Sequence, residues 1–126
     1  MSAFKEKASE LTARMLQKHL YVVLATPLKP MSELEPVLPD HLRYVIDLEK
    51  RGILFASGPF LRGDQVVPGS GMIILRAASM EEAQAIAERD PLARQGLRDI
   101  ELREWQLNEG QYTVTVEYSD QRYRID

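Results

Sequence analysis

Histidine is the side chain whose charge changes near neutral pH, and this chain carries two histidines and no cysteine. Thiolate chemistry, disulfides and cysteine metal sites are therefore excluded. His41 follows Asp40 near the start of a predicted helix, whereas His19 stands at the entry to a predicted strand. An imidazole at the edge of a buried helix face can be desolvated on one side and still reach a cavity. His41 is therefore the candidate for proton transfer, with a purely structural hydrogen bond as the alternative, and His19 is expected at the surface or at a strand edge.

A second candidate is an aspartate on the apolar face of a later helix. The capping sequence Ser79–Glu82 predicts the start of that helix, and its apolar spacing continues onto position 90, which is an aspartate. Pro91 disfavours helical geometry at Asp90, and a carboxylate in the last turn meets the unfavourable end of the helix dipole. Local conflicts of this kind are typical of functional or strained sites. Capping of the Pro91 turn is the alternative role for Asp90.

An aspartate in contact with His41 would fix the tautomer of the imidazole, and such a pair suits proton transfer on a substrate carbon or hydroxyl. Other kinds of site find less support. The one conceivable metal set joins His41 and Asp90 to another carboxylate such as Asp40, so we predict no metal. The chain has no Gly-x-Ser-x-Gly, Gly-x-Gly-x-x-Gly or Walker pattern, which argues against acyl-enzyme hydrolysis and nucleotide cofactors. We predict no cofactor.

Size and composition describe a soluble globular chain. Its 126 residues suit a single domain, 1–126, and 44% of the residues are apolar and 28% charged. The net charge of −3 is small and the arginines are scattered among acids, so nucleic-acid binding is not expected. The N-terminal segment lacks a continuous apolar region, and the apolar runs are too short to span a bilayer. We expect a cytoplasmic protein without membrane contact.

The elements that must position His41 are a strand and a helix. Residues 3–18 have the spacing of an amphipathic N-terminal helix, and Leu20–Thr26 is a continuous apolar run typical of a central strand. After a proline-rich loop, a helix is predicted over residues 39–50, ended by Gly52 in a left-handed conformation. Its main buried stripe is predicted to include Leu42 and Ile46, while His41 shares a neighbouring stripe, at the edge of the buried face, with Tyr44 and Leu48.

The remaining elements complete a β-α-β-β-α-β order. Strands are predicted over residues 53–56 and 71–77. Between them lie the strand exit 57–60 and a ten-residue loop, 61–70, and the helix that ends at Asp90 follows the second of these strands. A further strand over 99–107 closes the core, with Ile100 and Leu102 on one face and Trp105 on the other. Residues 111–119 form an extra C-terminal strand, and the charged tail 120–126 is expected to be loose. This order predicts an α+β, ferredoxin-like fold with two helices on one face of an antiparallel sheet.

Short motifs in this order resemble the YciI-related (YCII domain) family. They are the string His41–Tyr44, the strand ending in Gly58–Pro59, the helix ending in Asp90–Pro91 and the last core strand with Trp105. The resemblance covers residues 19–107 and leaves the N-terminal helix and the strand 111–119 as additions. It implies a dimeric α+β barrel, hence a homodimer, and a catalytic dyad formed by His41 and Asp90. Most members of the family have no assigned substrate, and a few relatives are linked to dehydrochlorination.

Within that resemblance, further residues are candidates for substrate contact. Ser57, Gly58 and Pro59 could line the cleft with backbone groups, although a tight strand exit explains them equally well. Ser70 and Tyr44 are candidate substrate hydrogen-bonding residues, with structural roles as the alternative. Arg76 and Arg43 are candidates for holding an anionic substrate.

The prediction is thus a cofactor-free enzyme that uses a His–Asp dyad for isomerisation or elimination, dehydrochlorination included, on a small metabolite such as an aromatic-derived compound. The alternative is a non-catalytic dimer that binds a small ligand or is purely structural. The expected partners are a small-molecule substrate or ligand and a second copy of the chain, with no nucleic acid and no membrane.

Overall fold

The computed structural model describes residues 3–126 of the chain, with side chains from residue 7 onward. Two compact units make up this part: His19–Gln106, which holds the sheet and the helices around His41, and a smaller unit of residues up to 18 together with 107–126. The predicted division of a single domain into a core over 19–107 and two additions stays a prediction.

The larger unit has the predicted β-α-β-β-α-β order, with short helical turns before α3 and after α4. Its elements are β1 (Lys18–Pro27), α2 (Met31–Leu34), a 3-10 turn (Glu35–Val37), α3 (Leu38–Lys50), β2 (Leu54–Arg62), β3 (Gln65–Leu75), α4 (Met80–Glu88), α5 (Pro91–Arg94) and β4 (Arg98–Leu107). The strands lie in the order β2-β3-β1-β4, and β3 runs antiparallel to both β1 and β2. This arrangement confirms the ferredoxin-like α+β fold.

Both long helices cover one face of that sheet. The buried cluster joins Tyr21 and Val23 of β1 and Leu75 of β3 to Leu48 of α3 and Ile86 of α4. Ile100 and Leu102 of β4 pack against the same cluster, as their period-two spacing predicts. Burying these side chains between the helices and the sheet fixes how α3 and α4 lie on the sheet, and therefore where their ends meet.

The ends of α3 and α4 follow the sequence signals. Gly52 has a φ of +76° just after α3, and the amide of Ile53 donates to the carbonyl of Leu48 over 2.9 Å, which is a glycine-ended helix. At the start of α4, the hydroxyl of Ser79 accepts a hydrogen bond from the amide of Glu82 over 3.1 Å. Both termini are therefore set by local chemistry.

The buried stripe of α3 differs from the prediction. Leu48 is 3% exposed and His41 and Tyr44 are partly buried, so the stripe expected at the edge is the one that faces the core. Leu42 and Ile46, predicted as the main stripe, are 54% and 53% exposed. The stripe with Leu42 and Ile46 is the more apolar of the two by residue type, so packing against the sheet overrides the helix pattern.

The predicted ten-residue loop between β2 and β3 is also wrong. A two-residue turn at Gly63–Asp64 joins the strands, with Gly63 at a φ of +63° and Arg62 paired with Gln65. Beyond Leu61 and Val66 the register shifts before Pro59 pairs with Gly71. Four residues of β3, 67–70, therefore stand opposite Phe60 alone, and we call this segment the β3 bulge.

The β3 bulge is held against the loop that precedes α3. Gly69, with a φ of +74°, lies so close to this loop that an added Cβ would come 2.5 Å from Leu34 Cδ2 and 2.8 Å from Pro27 Cβ. The hydroxyl of Ser70 donates to the carbonyl of Val67 over 3.0 Å. Pro68 and Gly69, which suggested a loop, thus belong to a well-packed bulge inside a continuous strand.

The smaller unit contains α1 (Ala3–Ala13) and a hairpin of β5 (Val114–Glu117) and β6 (Arg122–Ile125). The first helix is shorter than predicted because Gln17 has a φ of +53° and its side-chain amide donates to the carbonyl of Thr12 over 2.7 Å. The expectation of a loose tail over 120–126 is wrong, since most of it forms β6. A turn with Gln121 at a φ of +56° brings its alternating charged and apolar residues against β5.

Candidate functional site

His41 lies on the first turns of α3, and its side chain is 13% exposed. Pro39 stands in the first turn of this helix, where its missing amide hydrogen leaves no hydrogen bond unmade. His41, Tyr44 and Leu48 lie three and four residues apart, so the burial of Leu48 directs the imidazole toward the end of α4. The residue that the sequence singled out is therefore positioned by the packing of its helix.

Asp90 lies between α4 and α5 and is 3% exposed. Because Pro91 follows, its backbone leaves the helical region, with a φ of −57° and a ψ of 128°. Its Oδ1 atom accepts a hydrogen bond from the amide of Leu92 over 3.0 Å, which caps α5. The capping role considered from the sequence is thus present, and it uses one carboxylate oxygen.

The other carboxylate oxygen of Asp90 contacts His41. The distance from His41 Nδ1 to Asp90 Oδ2 is 2.7 Å, and because a carboxylate only accepts, Nδ1–H donates the hydrogen bond to Oδ2. In the neutral imidazole, the lone pair is then on Nε2, where it can accept a proton from another molecule. The structure brings together the two residues proposed as a dyad, and their catalytic role stays a prediction.

Arg98, the first residue of β4, is a third member of this cluster that we did not predict. Its Nη2 atom lies 3.5 Å from Asp90 Oδ2, and its side chain is 7% exposed. Burial lowers the pKa of the Arg98 guanidinium, and the negative charge of Asp90 acts in the opposite direction. The sequence held a signal, since positions 98, 100 and 102 share one face of β4 and the last two are core residues.

A cavity of about 230 Å³ opens beside His41 and Arg98. For comparison, an apolar cavity of about 150 Å³ admits benzene, so this volume suits a substituted single ring. Four further residues proposed for substrate contact line it: Ser57, Gly58, Pro59 and Ser70. The first three belong to β2 and the last to the β3 bulge, so the hairpin forms one wall and α3 the other.

Two predicted substrate residues lie away from the cavity. The hydroxyl of Tyr44 donates to the carbonyl of Ile86 over 2.6 Å and joins α3 to α4. Burial raises the pKa of Tyr44 above its ordinary value of 10.0, with opposing contributions from nearby charges. Arg76 donates to the carbonyl of Leu54 over 3.0 Å and lies 5.1 Å from the ring centre of Phe55.

The remaining histidine and the carboxylates give no second site. His19 is exposed and its Nε2 atom lies 3.3 Å from Glu104 Oε2 on the neighbouring strand, so it is the surface residue expected. Within the described residues, no group of three or more histidine, aspartate and glutamate side chains is arranged to hold a metal ion. Across that same part of the chain, no helix is long and apolar enough to cross a membrane.

Comparison with known proteins supplies a family and a fold relative. The structure is similar to 5-chloro-2-hydroxyhydroquinone dehydrochlorinase (TftG) from Burkholderia phenoliruptrix AC1100, solved in complex with 2,5-dihydroxybenzoquinone. The TM-score is 0.58 at 20% sequence identity, over 68% of this chain and 92% of that one, which supports a shared fold. No curated protein sequence matches the chain. The sequence profile of the YCII-related domain matches residues 7–106. The chain therefore belongs to the YCII-related family.

Proposed function

We propose that this protein is a small enzyme, working without a cofactor, in which His41 acts as the general base and Asp90 orients it. The observation that supports this best is the 2.7 Å hydrogen bond from His41 Nδ1 to a buried carboxylate, at the wall of a cavity of about 230 Å³. An orienting carboxylate holds the imidazole in one tautomer and stabilises the imidazolium that forms when the base takes a proton.

The reaction that this arrangement suits is a proton transfer on a small metabolite, namely an isomerisation or an elimination. In an elimination, Nε2 of His41 takes the proton and the electron pair left behind forms a new double bond. The leaving group departs with its bonding electrons, so charge and atoms balance. Chloride is such a leaving group, and the fold relative is a dehydrochlorinase solved with a dihydroxybenzoquinone. Proton transfer by a positioned imidazole contributes about 10²–10⁴-fold to a rate.

The test is turnover of a chlorinated hydroxyhydroquinone, followed as chloride release, by the wild type and His41→Gln. We expect the substitution to lower kcat by about 10²-fold or more, from the same range for general acid–base catalysis. His19→Gln is the matched control, because it removes the other, exposed histidine and should leave kcat unchanged. Equal rates for wild type and His41→Gln would exclude His41 as the base.

A second function has its own supporting observation. Asp90 also caps α5 and lies 3.5 Å from Arg98, so the contact with His41 joins α3 to the end of α4. A structural dimer or a non-catalytic ligand-binding dimer would use the pair in this way. In that case His41→Ala costs about 1–3 kcal/mol of stability, as expected when a buried partner loses its hydrogen bond. A thermal-shift screen of metabolites on wild type and variant would then give the same ligands, or none, for both.

We also propose that the chain forms a homodimer in the cytoplasm, through the sheet face opposite α3 and α4. Trp105 lies on this face, since it alternates with core-facing positions, and it is 39% exposed. Phe60, on β2, is 42% exposed. Light scattering after size-exclusion chromatography tests the assembly, with twice the 14.4 kDa chain mass expected and the monomer mass as the contrary result.

A further inference from the structure

The cavity beside His41 has an uneven distribution of charge. Of the described residues that line it, only His41 and Arg98 can carry a charge, and none is acidic. The remainder of the wall consists of apolar side chains such as Leu38, Leu42 and Met72, together with small residues of β2 and the β3 bulge. A ligand in this cavity therefore lies beside a cation, whereas Asp90 is not among the residues that line the cavity.

Asp90 does not use the full hydrogen-bonding capacity of Arg98. A guanidinium has five N–H donors, and charge-assisted bonds to carboxylates are about 2.7–2.9 Å long. The Nη2 atom of Arg98 lies 3.5 Å from Asp90 Oδ2, which already accepts the 2.7 Å hydrogen bond from His41. The Nε atom of Arg98 is buried, and no residue that the structure describes accepts a hydrogen bond from it.

A buried cation with an unpaired donor is costly, and an anion held beside the guanidinium would offset part of that cost through its charge. The lowered pKa of Arg98 agrees with this view, because desolvation by burial outweighs the opposing effect of Asp90. An arginine whose only role was to pair with Asp90 would be expected to make a short, bidentate contact with the carboxylate. Arg98 instead lies 3.5 Å from Asp90 Oδ2, and it is one of the residues that line the cavity.

We propose that Arg98 is the anion-binding residue of this cavity, and that the substrate is a small, largely apolar molecule bearing an anionic oxygen, as a carboxylate, phenolate or enolate. This substrate class rests on the proposed function, because it assumes that the ligand beside His41 is what the enzyme converts. The anion site itself requires no turnover. Binding at Arg98 holds the anionic oxygen on the same side of the cavity as the imidazole that takes the proton.

The test compares two probes of equal size and different charge, benzoate and benzamide, by calorimetric titration of the full chain at pH 7. A hydrogen bond to a charged group contributes about 1.5–3 kcal/mol, so wild type should prefer benzoate by roughly tenfold to hundredfold. Arg98→Gln should bind the two probes with equal affinity. Arg103→Gln is the matched control, because Arg103 is an exposed arginine paired with Glu101 over 2.9 Å, and it should keep the preference.

Arg98→Lys keeps the test decisive if the glutamine variant fails to fold. Lysine retains the charge but lacks the planar guanidinium, so the preference for benzoate should fall by at least about threefold. Circular dichroism of Arg98→Gln and Arg98→Lys checks that each variant has the native fold. A wild type that binds both probes equally, or a preference that survives in the folded Arg98 variants, would overturn the anion site.

The proposed function fails by a different result. If benzoate preference depends on Arg98 while His41→Gln leaves turnover unchanged, the anion site stands and His41 is not the base. If instead turnover depends on His41 and Arg98→Gln binds benzoate as tightly as wild type, the base stands and the anion site is wrong.

Discussion

Replacing Asp90 with asparagine removes one charge from a buried cluster while keeping its shape. The carboxylate makes three contacts: Oδ1 with the amide of Leu92 over 3.0 Å, and Oδ2 with His41 over 2.7 Å and Arg98 over 3.5 Å. The asparagine oxygen can still accept from the Leu92 amide. Its NH₂ group then faces His41 Nδ1, so the imidazole must move its proton to Nε2 or lose the hydrogen bond.

The expected loss of stability follows from those contacts. A hydrogen bond to a charged group is worth about 1.5–3 kcal/mol, and breaking a buried ion pair by removing one partner costs about 3–5 kcal/mol. Both terms describe the same carboxylate and are not additive, so the free energy of unfolding should fall by about 3–5 kcal/mol in total. Solvent does not screen the pair, because the Asp90 and Arg98 side chains are 4% and 7% exposed.

Urea unfolding measures this loss. With a slope of about 1–3 kcal/mol/M, the midpoint of Asp90→Asn should fall by at least about 1 M at unchanged slope. Asp47→Asn is the matched control, since it breaks an exposed pair with Arg51 of 3.0 Å, and such pairs contribute about 0–1 kcal/mol. Activity should fall together with stability, because the imidazole loses its fixed tautomer.

A double variant separates the loss of the hydrogen bond to His41 from the loss of the charge that balances Arg98. If the loss comes from an unbalanced Arg98 charge, adding Arg98→Met to Asp90→Asn should restore part of the stability. A stabilising buried contact between Asp90 and Arg98 is refuted if Asp90→Asn lowers the free energy of unfolding by less than about 1 kcal/mol, or if the effects of the two substitutions are additive.

Two further substitutions test the packing and the ionisation of residues near the site. Gly69→Ala should lower the free energy of unfolding by about 2–5 kcal/mol, from backbone strain and steric overlap. Gly96→Ala is the control, at a φ of +70° with nothing within 4 Å of an added Cβ, and it should lose about 1–2 kcal/mol from backbone strain alone. Equal losses for the two variants in chemical denaturation would contradict the close contact of Gly69 with Leu34 and Pro27. Because burial raises the pKa of Tyr44, its contribution to stability is complete below pH 10.0 and is lost as the pH rises through the folded-state pKa. Between pH 9 and 12, the free energy of unfolding measured by chemical denaturation should therefore fall less steeply for Tyr44→Phe than for wild type. Tyr118 is 94% exposed, so Tyr118→Phe should follow wild type. Parallel curves for all three proteins would contradict this prediction.

The order of elements and the facing of Asp90 were accessible from the sequence because they depend on local chemistry. Ser79 and Gly52 mark a helix start and a helix end through hydrogen bonds and backbone angles that involve only their neighbours. Asp90 continues the apolar spacing of α4, and Pro91 fixes where that helix ends. From these signals the β-α-β-β-α-β order follows, and with it the sheet.

The errors lie where tertiary contacts override the local pattern. On α3 the stripe with Leu42 and Ile46 is more apolar than the stripe with Tyr44 and Leu48, yet packing against the sheet buries the second one. Proline and glycine in residues 67–70 suggested a loop, because nothing local indicates that Gly69 packs against another segment.

Arg98 was missed for a different reason. The alternating pattern was present, but a charged residue is not expected at a core position. Its position shares the face of Ile100 and Leu102, and a period-two reading extended by one step places a guanidinium in the core. A charged residue at a core position needs a partner, and Asp90 was already the unexplained carboxylate of the sequence. Matching Asp90 with an oppositely charged residue at another core position would have predicted Arg98 as its partner.

The β3 bulge has a consequence for how such a protein can diversify. Its four residues stand opposite Phe60 alone, and paired positions bound it on both sides, at Val66 and at Gly71. Residues can therefore be exchanged within 67–70 while the flanking pairs, Leu61 with Val66 and Pro59 with Gly71, keep the register of the sheet. Since Pro68, Gly69 and Ser70 line the cavity, substitutions in this segment change the wall of the cavity and leave the two residues of the His41–Asp90 contact in place. The position of Gly69 sets the limit of that freedom, because a side chain there would press on Leu34.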